Sequence, residues 1–136
     1  MSKSLSCVLL ADRHHGLSEG VRGLLATAFE SVVMVADEAS LIEGARRLQP
    51  DMAIVDISLA RDGNLNWLQA LREHCPDLTV IVLSVHDEQS VRDAVMGAGA
   101  DAFVLKRAIA TDLLSAVDAV RRGRSLEASA TDTRPT

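Results

Sequence analysis

Five short apolar runs rich in β-branched residues punctuate the chain: residues 7–11 (CVLLA), 32–36 (VVMVA), 52–55 (MAIV), 80–83 (VIVL) and 102–105 (AFVL). Each run is nearly continuous and bounded by polar positions, the pattern of a strand buried on both faces of a parallel sheet. Between the runs the apolar period changes. Leu17, Val21, Leu24, Leu25, Ala28 and Phe29 follow the spacing of one helix face, which predicts a first helix. Ser40 and Glu43 fit a capping box at the start of a second helix, which Pro50 stops after Leu48. Asn64 is placed to cap a third helix with Leu65, Leu68 and Leu71 inward and Pro76 at its end, and Asp87 a fourth bearing Val91, Ala94, Val95 and Ala98. Thr111 would cap a fifth, with Leu114, Val117 and Val120 inward and Gly123 at its stop. Strand and helix therefore alternate five times, which predicts an α/β fold: a doubly wound, five-stranded parallel sheet with helices on both faces.

A chain of 136 residues suits one domain, read as residues 1–123, and the poorly apolar residues 124–136 read as a disordered tail or linker stub. The formal charge of -5 argues against a nucleic-acid or anionic-membrane surface spread over the whole fold. The N-terminal apolar run is broken by Asp12, so it resembles neither a signal peptide nor a span, and a cytoplasmic location is expected. Cys7 and Cys75 form no CxxC and read as small buried hydrophobes.

In such a sheet, ligands bind beyond the carboxyl ends of the strands. The first strand runs into Asp12, the third into Asp56, the fourth into Ser84 and the fifth into Lys106. Two acids, a hydroxyl and an ammonium are thereby delivered to one edge. A polar residue closing a single buried strand is ordinarily just its first solvated position; all four together point to a site.

These residues, with "LLADRHHGLSEGVRGLL", "PDMAIVDISL", "VIVLSVHDE" and "GAGADAFVLK", give the chain its resemblance to the receiver domain of bacterial two-component response regulators, over about residues 5–123. The resemblance implies a flavodoxin-like strand order of 2-1-3-4-5. It also implies that Asp56 accepts a phosphoryl group from a histidine kinase or phosphotransfer protein, and that Asp12, Asp56 and the backbone carbonyl of Ser58 hold Mg²⁺. Lys106 would pair with the phosphate, Ser84 and Phe103 would be switch residues, and Ser58 and His86 occupy positions that tune dephosphorylation. The implied activity is a switch acting on a downstream effector protein or domain rather than an enzyme. A homodimer through the first and fifth helices is also implied; membrane contact and direct nucleic-acid binding by this chain are not expected. A carboxylate can attack phosphorus provided the charge on the equatorial oxygens is neutralised.

Three features depart from the family pattern. Arg13 stands where the family has a second acid, so Asp12, Asp56, Arg13 and Lys106 sum to zero charge if Arg13 turns inward, and Mg²⁺ binding should weaken. Its guanidinium could bridge Asp12 and Asp56, or the side chain could run out to solvent. Ala60 replaces a usual proline and Asn64 a frequent glycine in the loop after Asp56, and Arg107-Ala108 lacks the proline common after the lysine. His14 and His15 are adjacent, point apart, and read as structural or surface residues. An alternative reading keeps the fold but treats the domain as a phosphorylation-independent interaction module. A nucleotide-binding enzyme on the same topology is disfavoured, since neither GxGxxG nor GxxxxGK[ST] follows the first strand. A DNA-binding regulator would need a helix-turn-helix domain, for which 136 residues leave no room; in a longer protein that domain would follow Thr136.

Overall fold

A computed structural model describes residues 5–129. Five parallel strands, β1 (Leu5–Ala11), β2 (Phe29–Val35), β3 (Met52–Asp56), β4 (Thr79–Ser84) and β5 (Ala102–Leu105), form one sheet in the order β2-β1-β3-β4-β5. The helices between and after them are α1 (His15–Leu25), α2 (Glu38–Leu48), α3 (Asn66–His74), α4 (Gln89–Gly97) and α5 (Ile109–Ser129). Short 3-10 turns follow β3 at Ile57–Leu59 and β5 at Lys106–Ala108.

The near-continuous apolar strands divide between two cores, because successive side chains point to opposite faces. Leu9, Ala53, Val55, Val80, Val82 and Phe103 face α2, α3 and α4, where Leu41, Trp67, Leu68 and Val95 meet them. Val8, Leu10, Ile54, Ile81, Leu83 and Val104 face α1 and α5, where they meet Val21, Leu25, Leu113 and Val117. Both faces are covered, so no strand shows the alternation of a half-exposed sheet.

Several local expectations are corrected. Phe29 opens β2 rather than closing α1; an apolar residue at a helix-to-strand junction reaches the same core by either route, so its spacing could not separate them. Asp37, not Ser40, is the N-cap of α2, its carboxylate accepting the Ser40 N–H at 2.8 Å. Asn64 lies one residue before the α3 cap yet still accepts the Asn66 N–H at 2.8 Å. Asp87 caps nothing and pairs instead with Arg107 at 3.1 Å, while Glu88 takes the cap position of α4. Thr111 lies inside the first turn of α5, where its hydroxyl donates to the Ala108 carbonyl, and Leu113 rather than Leu114 is the fully buried contact of that helix. The helix also runs past Gly123 to Ser129. One glycine costs only about 1 kcal/mol relative to alanine, and Arg124, Leu126, Glu127 and Ala128 are good helix formers. The first part of the segment read as a tail is thus helical, and the rest of that reading, 130–136, lies outside the described residues.

Candidate functional site

The parallel sheet brings the ends of β1, β3, β4 and β5 to one edge, and local turns then fix each polar side chain there. Asp12 follows β1, and its N–H donates to the Val35 carbonyl at 3.0 Å, so the backbone stays in register with β2. Its Oδ1 accepts the His14 N–H at 2.8 Å, an Asx-type turn that holds the carboxylate at the strand end. Asp56 closes β3, and its Oδ1 accepts both the N–H and the hydroxyl of Ser58, each at 2.8 Å. The same carboxylate thereby caps the following 3-10 turn. Lys106 opens the 3-10 turn after β5 and reaches back across β4, so that its Nζ donates to Asp56 Oδ2 and lies 3.7 Å from Asp12 Oδ2.

Asp12, Asp56 and Ser84 are buried, at 3%, 2% and 0% exposure, and the Lys106 side chain is 15% exposed. Burying two carboxylates is costly unless cations and donors meet them. Burial alone would raise the Asp56 pKa; the Lys106 hydrogen bond, the Ser58 N–H and hydroxyl, and the Lys106 charge together outweigh it and hold Asp56 below the ordinary carboxylate value. Asp56 is therefore an ionised carboxylate at neutral pH, facing an ammonium and a second acid.

Ser84 lies at the end of β4, but its hydroxyl is turned into its own loop: it accepts the His86 N–H at 2.8 Å and donates to the His86 carbonyl at 3.1 Å. Phe103 is buried on β5 beneath the Arg92 guanidinium of α4, which lies 4.7 Å from the ring centroid. Arg92 was not singled out from the sequence, since an arginine on an exposed helix face carries no signal of what it covers. Of the adjacent histidines, His14 lies 3.6 Å through Nδ1 from Asp12 Oδ1, whereas the His15 side chain lies outside what the structure describes.

Arg13 adopts neither expected arrangement. It bridges no carboxylates and does not run free into solvent; half-buried, it donates from Nη1 to the Ser58 carbonyl at 3.1 Å. That carbonyl is one of three oxygens expected to hold Mg²⁺, and the other two, on Asp12 and Asp56, face Lys106. Mg²⁺ requires near-octahedral oxygens with free lone pairs directed at it. Here Arg13 lies on that carbonyl and Lys106 faces the Oδ2 atoms of Asp12 and Asp56, so an ion taking these oxygens would compete with resident cations. Beside the site, a cavity of about 540 Å³ opens between the loop after β3 and α4, lined on its polar side by Arg13, Ser58, Arg61, Asp62, His86 and Ser90.

Comparison with known proteins agrees with this architecture. A family model for the response regulator receiver domain matches residues 8–118. The nitrate/nitrite response regulator NarP of Escherichia coli is 35% identical over 118 residues, covering 85% of this chain and 55% of NarP. The transcriptional regulatory protein DegU of Brevibacillus brevis is 31% identical over 118 residues, covering 85% of this chain and 50% of DegU. The chain thus spans about half the length of the curated relatives it matches. Among solved structures, the isolated receiver domain of RcsB from Salmonella enterica serovar Typhimurium, in the presence of phosphomimetic BeF3-, superposes with a TM-score of 0.78 at 26% identity, covering 89% of this chain and 91% of that one. The signal receiver domain of the NarL regulator from Mycobacterium tuberculosis gives 0.77 at 25%, covering 89% and 99%. Matched along most of its length in sequence, and carrying the strand order and the convergent acids and lysine of that fold, the chain belongs to the response regulator receiver domain family.

Proposed function

We propose that this chain is a phosphoacceptor module in which Asp56 takes a phosphoryl group from a phosphohistidine on a histidine kinase or phosphotransfer protein, and that the modification switches a protein interface. Phosphorylation-based switching is the general function of receiver domains. The observation that carries the reading here is the buried, ionised Asp56 carboxylate in contact with Lys106 and flanked by Asp12. In the transfer, a carboxylate oxygen of Asp56 attacks phosphorus. The phosphorus–nitrogen bond of the donor breaks, and the departing imidazole nitrogen keeps the electron pair and takes a proton from solvent. Lys106 offsets charge on the transferred group. The product adds roughly two negative charges at the sheet edge, which can draw Ser84 out of its loop and shift the turns after β4 and β5. Receiver domains generally bind Mg²⁺ at this position; here we expect that binding to be weak.

The effector is a protein or domain outside the described chain. DegU carries the name of a transcriptional regulatory protein, and RcsB has been solved in complex with DNA; a DNA-binding output is the corresponding proposal here. Incubation with phosphoramidate and Mg²⁺, followed by intact mass spectrometry, should show one added phosphoryl group in the wild type and none in Asp56→Asn. Absence of the adduct in the wild type across metals and donors would defeat this reading. It would favour the phosphorylation-independent module, for which the Ser84 hydroxyl held within its own loop and the Arg13 contact on Ser58 are the specific observations.

A further inference from the structure

At the acceptor edge the chemistry of Arg13 remains unassigned. Its guanidinium spends one N–H on the neutral Ser58 carbonyl and forms no ion pair with a carboxylate among the described residues. Ser58 also gives its N–H and hydroxyl to Asp56. A single residue therefore holds the cation at its carbonyl and the acceptor carboxylate at its amide. Asp12, Asp56, Arg13 and Lys106 sum to zero charge, so a divalent cation added to this set would leave it positive, whereas a phosphoryl group would be met by cations already in place. The guanidinium retains donors in a planar fork suited to phosphoryl oxygens, and the shared Ser58 contacts tie it to the residue that holds the Asp56 carboxylate.

We propose that Arg13 is a resident counter-cation of the acceptor site, and that a phosphoryl-like anion on Asp56 is held by Arg13 and Lys106 without a divalent metal. The proposal rests on the reading of Asp56 as the acceptor. It assigns Arg13 an anion-binding role in place of the metal-binding acid usual at that position, and it predicts a receiver that stays loaded where magnesium is scarce.

Beryllofluoride, which forms a phosphoryl-like adduct on a carboxylate, tests this directly. Binding is followed by fluorine NMR in the wild type, R13A, R13K and R13D, each in EDTA and in Mg²⁺. The proposal expects wild type to bind in EDTA with an affinity little changed by Mg²⁺. R13A should lose about tenfold in EDTA, the worth of one charge-assisted hydrogen bond. R13K should recover part of that loss, and R13D should bind only with Mg²⁺. Wild type binding only with Mg²⁺, or R13A matching wild type in EDTA, overturns the role of Arg13 and leaves Asp56 as acceptor. Binding by R13D with Mg²⁺ but never by wild type does the same and makes Arg13 a block. Failure of all four proteins in both conditions overturns the acceptor reading and the proposal with it. Since Arg13 is half-buried and makes one hydrogen bond, these variants should fold, and their circular dichroism serves as the control.

Discussion

The electrostatics of the acceptor edge turn on one contact. Asp56 is nearly inaccessible, and burial opposes its ionisation, yet its carboxylate is held below the ordinary value because Lys106 and Ser58 donate to both of its oxygens. A depressed folded pKa contributes stability above the unfolded carboxylate range, near 3.9, and that contribution is lost as the pH falls through the folded value. Lys106→Met should therefore raise the Asp56 pKa relative to wild type, measured by carboxyl carbon NMR; an unchanged value would show that Ser58 alone holds the charge. The stability gap between the two proteins in urea unfolding should also narrow below about pH 4. The positions of Asp12, Asp56, Ser84 and Lys106 were legible in the sequence because strand ends in a parallel sheet share one edge. The partner of Arg13 was not, since it depends on where a carbonyl forty-five positions away along the chain comes to lie. The Ser84 hydroxyl likewise turns on a loop conformation that no spacing encodes.

At the scale of elements, the opposite edge of the sheet is tied by a second arginine. Arg72, near the end of α3, donates from Nε at 2.9 Å and Nη2 at 2.6 Å to the Gly99 carbonyl, from Nη1 to the Leu78 carbonyl, and from Nη2 to Asp101 at 2.8 Å. Asp101 in turn accepts the Val80 N–H at 2.8 Å, so one guanidinium joins α3, the start of β4 and the turn before β5. Gly99 adopts a φ of +117°, and a Cβ there would meet the Arg72 side chain at 3.3 Å, which explains why glycine stands at this turn. Arg72→Ala should cost about 2–3 kcal/mol, as hydrogen bonds to a charged group are lost and their acceptors left partly buried. Arg72→Lys should recover less than half, because an ammonium cannot fill a forked, multiply accepting site. Urea titrations check both, and full rescue by lysine would show that charge alone matters. The periodic pattern anticipated every helix but missed this tie, because a charged residue at a helix end reads as solvated surface until the turn facing it is known.

For the whole molecule, the two arginines divide the labour between the ends of the strands. The six residues of β4 separate the Arg72 tie from the acceptor edge by roughly 17–20 Å, beyond the range at which substitutions usually couple. The stability changes of R13A and R72A should therefore add in the double variant to within about 0.5 kcal/mol, and R72A should leave beryllofluoride binding unaltered. A larger departure would mean that the sheet transmits strain from one edge to the other. Hydrophobic period, strand-end polarity and the alternation of elements were enough to determine the α/β class, the parallel sheet and the edge at which the acids and lysine meet, because burial on two faces imposes a pattern on the chain itself. Which backbone groups the Ser84 hydroxyl meets, which carbonyl Arg13 covers, and which carboxylate oxygens Lys106 faces were decided only by the tertiary structure. These depend on short-range contacts between loops distant in sequence, and such contacts leave no period to read.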